Sequence, residues 1–151
     1  MTRFTNNADT SLTDLALSLL LTSAGIPLVY YGSEQYMSGG DDPNNRAMMS
    51  TFSRETPAYR ILSQLNRLRK RNFALVYGGM KLLYMTDRVL VFERSYMRDA
   101  ALVLLSLEET AHEIPDIATS LPEGWYSNLL EEVFPGGGIG GVSEITAEWQ
   151  E

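Results

Sequence analysis

The spacing of apolar positions along the chain changes at about residue 73. Before that point, two segments with helical spacing enclose a continuous apolar run and a long polar loop. After it, short apolar runs are separated by turn sequences at intervals of about 8–12 residues, which is typical of an antiparallel sandwich or barrel. We therefore predict an α+β protein with two domains, residues 1–72 and residues 73–151.

The first helix is predicted to begin at a capping residue and to end at about residue 23. Asp9, Thr10 and Ser11 can each accept a hydrogen bond from a free backbone N–H group. Gly25 then provides a helix stop. The helix is apolar over much of its circumference, which indicates burial between other elements. Its predicted apolar side carries Leu12, Leu15, Ala16, Leu19 and Leu20.

A second helix is predicted from Thr56 or Pro57 to Arg71, because proline fits the first turn of a helix. Basic residues gather at its C-terminal end, where cations suit the helix dipole. In an acidic chain, this cluster indicates a solvated helix end rather than a nucleic-acid contact. The predicted apolar stripe carries Tyr59, Ile61, Leu62, Leu65 and Leu68.

Between these helices lies a continuous apolar run, residues 26–31, with the sequence IPLVYY. Continuous rather than alternating hydrophobicity predicts a strand buried on both faces, as in parallel sheets. Pro27 then stands at the start of the strand, and Gly32 ends it. Residues 33–54 form a loop rich in Gly, Ser, Asp and Asn. Loops of this length in compact domains are usually functional or disordered.

The second region is predicted to contain a series of short strands. The glycine-rich sequence 135–141 is predicted to be a flexible loop. It is not predicted to be a phosphate-binding loop, because it is not part of a strand–loop–helix pattern with a following Lys. The predicted strands are residues 81–85, 89–94, 100–107, 113–117 and 124–129, with a closing strand at residues 145–149.

Composition and charge exclude several classes of function. The chain has 151 residues and a net charge of −7, so it lacks the basic surface of a nucleic-acid-binding protein and is not suited to anionic membranes. It has no cysteine, which excludes disulfides and thiolate metal sites. The apolar residues 16–25 are too few for a membrane span, and the acidic residues before them argue against a signal peptide.

Two neighbouring motifs carry a resemblance to a known family. GIPLVYYGSE, residues 25–34, resembles the last barrel strand of the α-amylase family of glycoside hydrolases. DPNNR, residues 42–46, resembles the donor-side sugar-binding loop of its cyclodextrin glucanotransferase and maltogenic α-amylase branch. Residues 58–70 resemble the final barrel helix, and residues 74–78, 89–94 and 122–130 resemble strands of the all-β domain C. The resemblance covers essentially the whole chain.

The resemblance implies an incomplete (β/α)8-barrel segment (helix–strand–helix) followed by a Greek-key sandwich, domain C. The parent would be a secreted, extracellular enzyme that hydrolyses or transfers α-1,4-glucosidic bonds of starch by double displacement. Residues 1–4 resemble the segment directly after the family's Asn-His-Asp motif. The catalytic carboxylates are therefore expected to precede residue 1, so that the chain contains no catalytic residue and is expected to be inactive alone.

Asp42 and Arg46 are the candidate substrate-binding residues, because a sugar hydroxyl can donate to a carboxylate and accept from a guanidinium. The residues alone favour another interpretation, in which the pair only braces the loop. The resemblance implies instead that both contact a glucose unit. A carboxylate pair of Glu34 with Asp42 is conceivable for hydrolysis, but the resemblance gives Glu34 a structural role.

Several other polar and aromatic residues are weaker candidates. Tyr30, Tyr31 and Tyr36 could stack on sugars, although the first two are predicted to pack inside the buried strand. His112, the only histidine, is predicted to lie at the surface without metal-binding partners. Oxygen ligands for Ca²⁺ could come from Asp41, Asp42, Asn44 and Asn45, whose spacing is not that of an EF-hand. We predict no metal and no cofactor in this chain, although the parent family often binds calcium.

The expected partner is an α-1,4-glucan or maltooligosaccharide, held weakly by a partial site. The rival hypothesis is an interaction module, since the open edge of a single barrel strand invites pairing with another chain. The second chain would carry the rest of the barrel or be another copy of this one. A third hypothesis is that the β domain alone folds and binds glucan, with residues 1–55 rearranged. Neither a nucleic acid nor a membrane is expected as a partner, and the location of this chain itself is left open.

Overall fold

The computed structural model of the protein describes residues 9–108, 110, 113–130, 133 and 144–147. The predictions for residues 1–4, His112, the glycine-rich loop and residues 148–149 lie outside these residues.

Helix α1 (Thr10–Thr22) confirms the first predicted helix. Asp9 is its N-cap, and the Asp9 carboxylate accepts from the Ser11 N–H at 3.0 Å. The buried side differs from the predicted one: Leu12 is exposed, and polar side chains are buried beside leucines. The buried hydroxyls of Ser18 and Thr22 can be tolerated because they donate to carbonyls one turn earlier. The buried set is Thr13, Asp14, Leu17, Ser18, Leu21 and Thr22.

Helix α2 (Pro57–Arg71) confirms the second predicted helix, with Pro57 in its first turn. The Thr56 hydroxyl oxygen caps it by accepting from the Tyr59 N–H at 3.2 Å. Helix α2 packs on α1 through a cluster of Leu21, Ile61 and Leu65. In the described part of the chain, no helix has both the length and the apolar character needed to cross a bilayer.

Residues 74–77 form a short helix, α3 (Ala74–Tyr77), where the resemblance predicted a strand. Two side chains cap the start of this helix and explain the difference. Asn72 Oδ1 accepts from the Ala74 N–H, and Asp99 Oδ2 accepts from the Phe73 N–H, both at 2.9 Å. Side chains that satisfy the first N–H groups of a turn favour a helix over an extended chain.

The sheet consists of β1 (Gly79–Met85), β2 (Val89–Tyr96) and β3 (Asp99–Ser106), antiparallel and in that order. A second ladder pairs β4 (Gly124–Ser127) with β5 (Glu144–Ala147), also antiparallel. These strands lie within the predicted ones or extend them by a few residues. The described residues therefore confirm an α+β fold with an antiparallel sheet.

Residues 113–117 do not form the predicted strand. Pro115 has no N–H group to donate to a sheet ladder, which opposes strand pairing there. The segment that follows is attached to the sheet by the buried Glu93. The Glu93 carboxylate accepts from the Ser120 N–H at 2.7 Å and from the Ser120 hydroxyl at 2.5 Å.

Residues 26–31 also do not form the predicted buried strand. Ile26 is 97% exposed and Leu28 is 82% exposed. A strand is stabilised by its neighbours, and the sheet pairings among the described residues involve only β1 to β5. The prediction of a strand buried on both faces is therefore wrong for the described residues, in which Ile26 and Leu28 are exposed.

The predicted domain boundary at residue 72 is crossed by apolar packing. Leu15 and Leu19 of α1 pack against a cluster of Phe92, Val103 and Leu105 in the sheet. The division into residues 1–72 and 73–151 stays a prediction, and the described parts of the two regions share apolar core.

Polar contacts of Arg94 cross the same boundary at the C-terminal end of α1. We call this region the junction, and it is formed by Arg69, Arg94 and the carbonyls that they contact. Arg94 is fully buried and donates to Thr22 O at 2.6 Å, Gly78 O at 2.8 Å and Gly79 O at 3.1 Å. Arg69 donates to the Leu21 carbonyl at 2.7 Å.

The junction places two guanidinium groups at the negative end of a helix dipole, which favours cations. Burial lowers the pKa of Arg94, and the nearby charge of Arg69 lowers it further. Even so, an arginine stays protonated in proteins, so Arg94 is a buried cation satisfied by main-chain carbonyls.

Candidate functional site

The candidate site lies in residues 33–54, which we call the site loop. It follows the apolar residues 26–31 and precedes α2. Two 3-10 turns, Ser33–Gln35 and Asn44–Arg46, give it local order. The predicted long polar loop is therefore present and is folded in part.

Hydrogen bonds close the two ends of the site loop on each other. The side-chain amide of Gln35 donates to the Ser53 carbonyl and accepts from the Ser53 N–H, both at 2.8 Å. The Thr56 hydroxyl donates to the Glu34 carbonyl at 2.6 Å. This contact uses the main chain of Glu34, and the structural role that the resemblance implied for this residue stays a prediction. These contacts form a stem that was not predicted, because glutamine and serine in a polar loop give no distinctive sequence signal.

Tyr36 joins the stem to both helices. Its hydroxyl donates to Asp14 Oδ1 at 2.7 Å and accepts from the Ala58 N–H at 3.0 Å. The Tyr36 hydroxyl is thus engaged in the structure. Burial raises the pKa of Asp14, while the hydrogen bond from Tyr36 opposes this rise. Burial also raises the pKa of Tyr36, which stays protonated and able to donate.

A close approach of two backbone segments shapes the tip of the site loop. A Cβ atom at Gly39 would lie 2.5 Å from the Asn44 carbonyl oxygen, so only glycine fits there without a backbone shift. The Arg46 N–H stabilises the second 3-10 turn by donating to the Pro43 carbonyl at 3.0 Å. The tip therefore has a defined shape.

This turn brings Asp42 and Arg46 together as a local pair, which is the contact that the loop-bracing interpretation expected. Arg46 Nε lies 2.9 Å from Asp42 Oδ1. The side chains of Arg46 and Asp42 are 70% and 58% exposed, so both face solvent. The arrangement leaves the second carboxylate oxygen and further guanidinium N–H groups as hydrogen-bonding sites for a polar molecule. The contact itself fits both predicted roles, a braced loop and a sugar site.

Tyr30 and Tyr31 lie at the entrance to the site loop. The prediction that they pack inside a buried strand is wrong, because both side chains are exposed. Their rings meet edge to face with centroids 4.7 Å apart. The Tyr31 hydroxyl donates to the Ala47 carbonyl at 3.0 Å, which ties this entrance to the loop.

Two of the four residues considered as calcium ligands have other surroundings. Asp42 contacts the cationic Arg46, and Asn45 is buried. Within the described residues, no group of three or more His, Asp or Glu side chains could hold a metal ion.

Comparison with known proteins adds relatives that cover nearly the whole chain. No family model matches the sequence. The chain is 39% identical to a cyclomaltodextrin glucanotransferase from Bacillus sp. (strain 38-2) over 163 aligned positions, covering 99% of this chain and 23% of the relative. It is 43% identical to an α-amylase from Niallia circulans over 125 positions, covering 82% of this chain and 24% of the relative.

Solved structures agree with these relatives. The fold matches a cyclomaltodextrin glucanotransferase with a three-domain ABC distribution, with a TM-score of 0.86 and 35% identity. The match covers 97% of this chain and 29% of that structure. The chain thus spans less than a third of the length of each of these relatives. It belongs to the α-amylase family of glycoside hydrolases and corresponds to a C-terminal part of such enzymes.

Proposed function

We propose that this chain is the part of an α-1,4-glucan-acting enzyme that holds one glucose unit through Asp42 and Arg46. The observation that carries the proposal is the exposed pair of these two residues on a braced loop. A sugar hydroxyl can donate to the Asp42 carboxylate and accept from Arg46 at the same time. The relatives support the ligand class, since their names describe a glucanotransferase and an amylase.

The proposed parent places residues 1–72 at the end of a (β/α)8 barrel and residues 73–151 in a Greek-key domain C. In such barrels, binding and catalytic residues lie in the loops after the strands, and the proposed parent would hold the site loop at such a position. The parent hydrolyses starch or transfers maltooligosaccharides outside the cell, because glucan polymers are too large to cross a membrane unaided.

This chain is proposed to lack catalytic carboxylates of its own. Retaining glycoside hydrolysis needs two carboxyl groups about 5–5.5 Å apart, one as nucleophile and one as acid/base. In the site loop, the Asp42 carboxylate is engaged with Arg46. Glu34 contributes its main-chain carbonyl to the stem. Neither is therefore assigned a catalytic role, and no cofactor is assigned to the chain.

The binding proposal is tested by titrating the 151-residue chain with maltohexaose and recording chemical shifts of the site loop. We expect saturable shifts at millimolar sugar, because a single loop provides few contacts. Asp42→Ala should abolish them. Glu55→Ala is the matched control, because Glu55 forms an exposed ion pair with Arg60 outside the site loop. Site-loop signals that do not move at millimolar sugar would refute the proposal.

The absence of catalysis is a separate test. The purified chain is expected to release no reducing sugar from soluble starch. Hydrolysis that survives repurification would show that the chain carries its own pair of catalytic carboxylates.

The second candidate function is an interaction module, favoured by the exposure of the apolar Ile26 and Leu28. An exposed apolar segment of this kind can pair with another chain that carries the rest of the barrel, or with a second copy. Sedimentation velocity would reveal self-association as a sedimentation coefficient that rises with concentration. Replacing Leu28 by Asp should then restore the monomer. A monomer at all concentrations would exclude self-association.

A further inference from the structure

Three neighbouring aromatic side chains, Phe73, Tyr77 and Tyr96, form a surface that we call the aromatic platform. The ring centroids are 6.2 Å apart for Phe73 and Tyr77, and 5.7 Å apart for Tyr77 and Tyr96. Phe73 is 56% exposed and Tyr77 is 66% exposed, and Tyr96 is half-buried beside them. Single exposed apolar residues are common, whereas adjoining exposed aromatic rings indicate a binding surface.

The backbone holds two of these rings on one side of a helix. Phe73 and Tyr77 are four residues apart, and the Tyr77 N–H donates to the Phe73 carbonyl at 2.8 Å. Side chains at this spacing share a helix face. Asp99 fixes the start of this turn by accepting from the Phe73 N–H at 2.9 Å. The first two rings are therefore positioned by α3 and by the start of β3.

A glycine allows the third ring to join them. A Cβ atom at Gly78 would lie 2.7 Å from the Ser95 carbonyl oxygen, so glycine lets the end of α3 approach β2 closely. Tyr96 follows Ser95 on β2, and this approach brings Tyr77 beside Tyr96. The platform is thus built by contacts of the backbone before any ligand is present.

We infer that the aromatic platform binds an α-linked glucan chain, as a second sugar-binding surface on elements different from those of Asp42 and Arg46. The inference rests on the proposed function for its class of ligand. One face of a glucose ring presents C–H groups that pack on an aromatic ring, and the phenol groups of Tyr77 and Tyr96 can hydrogen-bond the sugar hydroxyls.

The inclination of the rings selects the type of linkage. Phe73 and Tyr77 are inclined by 35° to each other, and Tyr77 and Tyr96 by 47°, so the platform is stepped rather than flat. An α-1,4-linked chain winds helically and turns its sugar faces from one unit to the next. A β-1,4-linked chain is extended and ribbon-like, and it stacks best on coplanar rings. The platform therefore fits the α-linked chain.

The test is a titration of the 151-residue chain with maltohexaose and, in parallel, with cellohexaose, following the aromatic signals of Phe73, Tyr77 and Tyr96. Maltohexaose is expected to shift these signals saturably, and cellohexaose is not. Tyr77→Ala and Phe73→Ala should each weaken the affinity about fivefold. Phe73→Tyr should retain the affinity, because the ring is kept.

Two control variants separate this surface from other sites. Trp125→Ala removes an exposed aromatic ring outside the platform and should leave the platform affinity unchanged. Asp42→Ala should abolish shifts of the site loop and leave those of the platform. Platform signals that stay still at saturating maltohexaose, or shifts that persist in both alanine variants of the platform, overturn this inference. Site-loop signals that stay still while the platform shifts overturn the proposed function of Asp42 and Arg46 alone.

Discussion

Two arginines show how differently one side chain is used in the junction and in the site loop. Arg94 is fully buried and donates to three main-chain carbonyls from α1 and the sheet. Arg46 is largely exposed and contacts one carboxylate within its own loop. A buried cation that has only backbone partners can serve only the fold. An exposed one, with donors still facing water, can exchange water for a ligand.

The largest effect on the free energy of unfolding is expected when the guanidinium of Arg94 is removed. Arg94→Met keeps an apolar stem but leaves two buried carbonyls, those of Thr22 and Gly78, and the part-buried Gly79 carbonyl without this donor. Each buried group left unpaired costs about 1–3 kcal/mol. We expect a loss of about 3 kcal/mol or more in the free energy of unfolding, measured by urea denaturation with circular dichroism. Arg46→Met is the matched control and should change it by less than about 1 kcal/mol. Equal effects of the two variants would contradict the division between the arginines.

The next largest effect is expected where the site loop meets the helices. Tyr36→Phe removes the hydroxyl that bonds Asp14 and Ala58, so it should lower the free energy of unfolding by about 1–3 kcal/mol. Tyr31→Phe, which removes an exposed hydroxyl bonded to Ala47, should cost less than about 1 kcal/mol. If Tyr31→Phe were the more damaging change, the loop would be held at its entrance and not at Tyr36.

A smaller effect is expected in the dependence of stability on pH. Burial raises the pKa of Asp14 above 3.8, so ionisation of this carboxyl opposes folding. Its unfavourable contribution appears as pH rises from about 3.8 through the folded-state pKa. Asp14→Asn does not titrate and can still accept from Tyr36. The variant should therefore gain stability relative to the parent chain as pH rises through this window.

Asp9 provides a control with the opposite sign. Its hydrogen bonds from Ser11 lower the pKa of this carboxyl, so its favourable contribution is present above pH 3.8 and is lost as pH falls through the lowered value. Asp9→Asn should consequently lose stability relative to the parent chain at neutral pH. Melting temperatures measured from pH 3 to 7 would show the two opposite slopes, and parallel slopes would contradict the assigned directions.

The smallest effect on stability is expected at the candidate site itself. Asp42→Ala breaks an exposed ion pair, and such pairs contribute about 0–1 kcal/mol. Urea denaturation should therefore scarcely distinguish this variant from the parent chain, although its sugar binding is expected to disappear. A loss of several kcal/mol would indicate that the pair braces the loop, which is the alternative that the residues alone favoured.

Local signals in the sequence predicted the helices and the hairpins well. Asp9 and Pro57 mark helix starts through their own backbone chemistry, and β2 and β3 are short apolar runs bounded by turn residues. The contact of Asp42 with Arg46 was also within reach, because residues four positions apart meet in a tight turn.

Predictions that depended on distant neighbours failed or were not made. Residues 26–31 have the composition of a buried strand, but a strand also needs partners, which composition does not reveal. The turn at residues 74–77 depends on a cap from Asp99, 25 positions after Ala74. The role of Arg94 depends on Thr22, 72 positions away. These contacts are products of the fold and leave no local pattern.

The hydrogen bonds between Gln35 and Ser53 in the stem mean that the tip of the site loop can be exchanged for another sequence. Its two ends are fixed to each other, so the length and sequence of the tip can vary while the helices keep their places. Doubling the length of a flexible loop costs only about 0.6 kcal/mol in closure entropy. Grafting other tips onto this stem is therefore a practical route to a changed sugar preference that keeps the two helices in place.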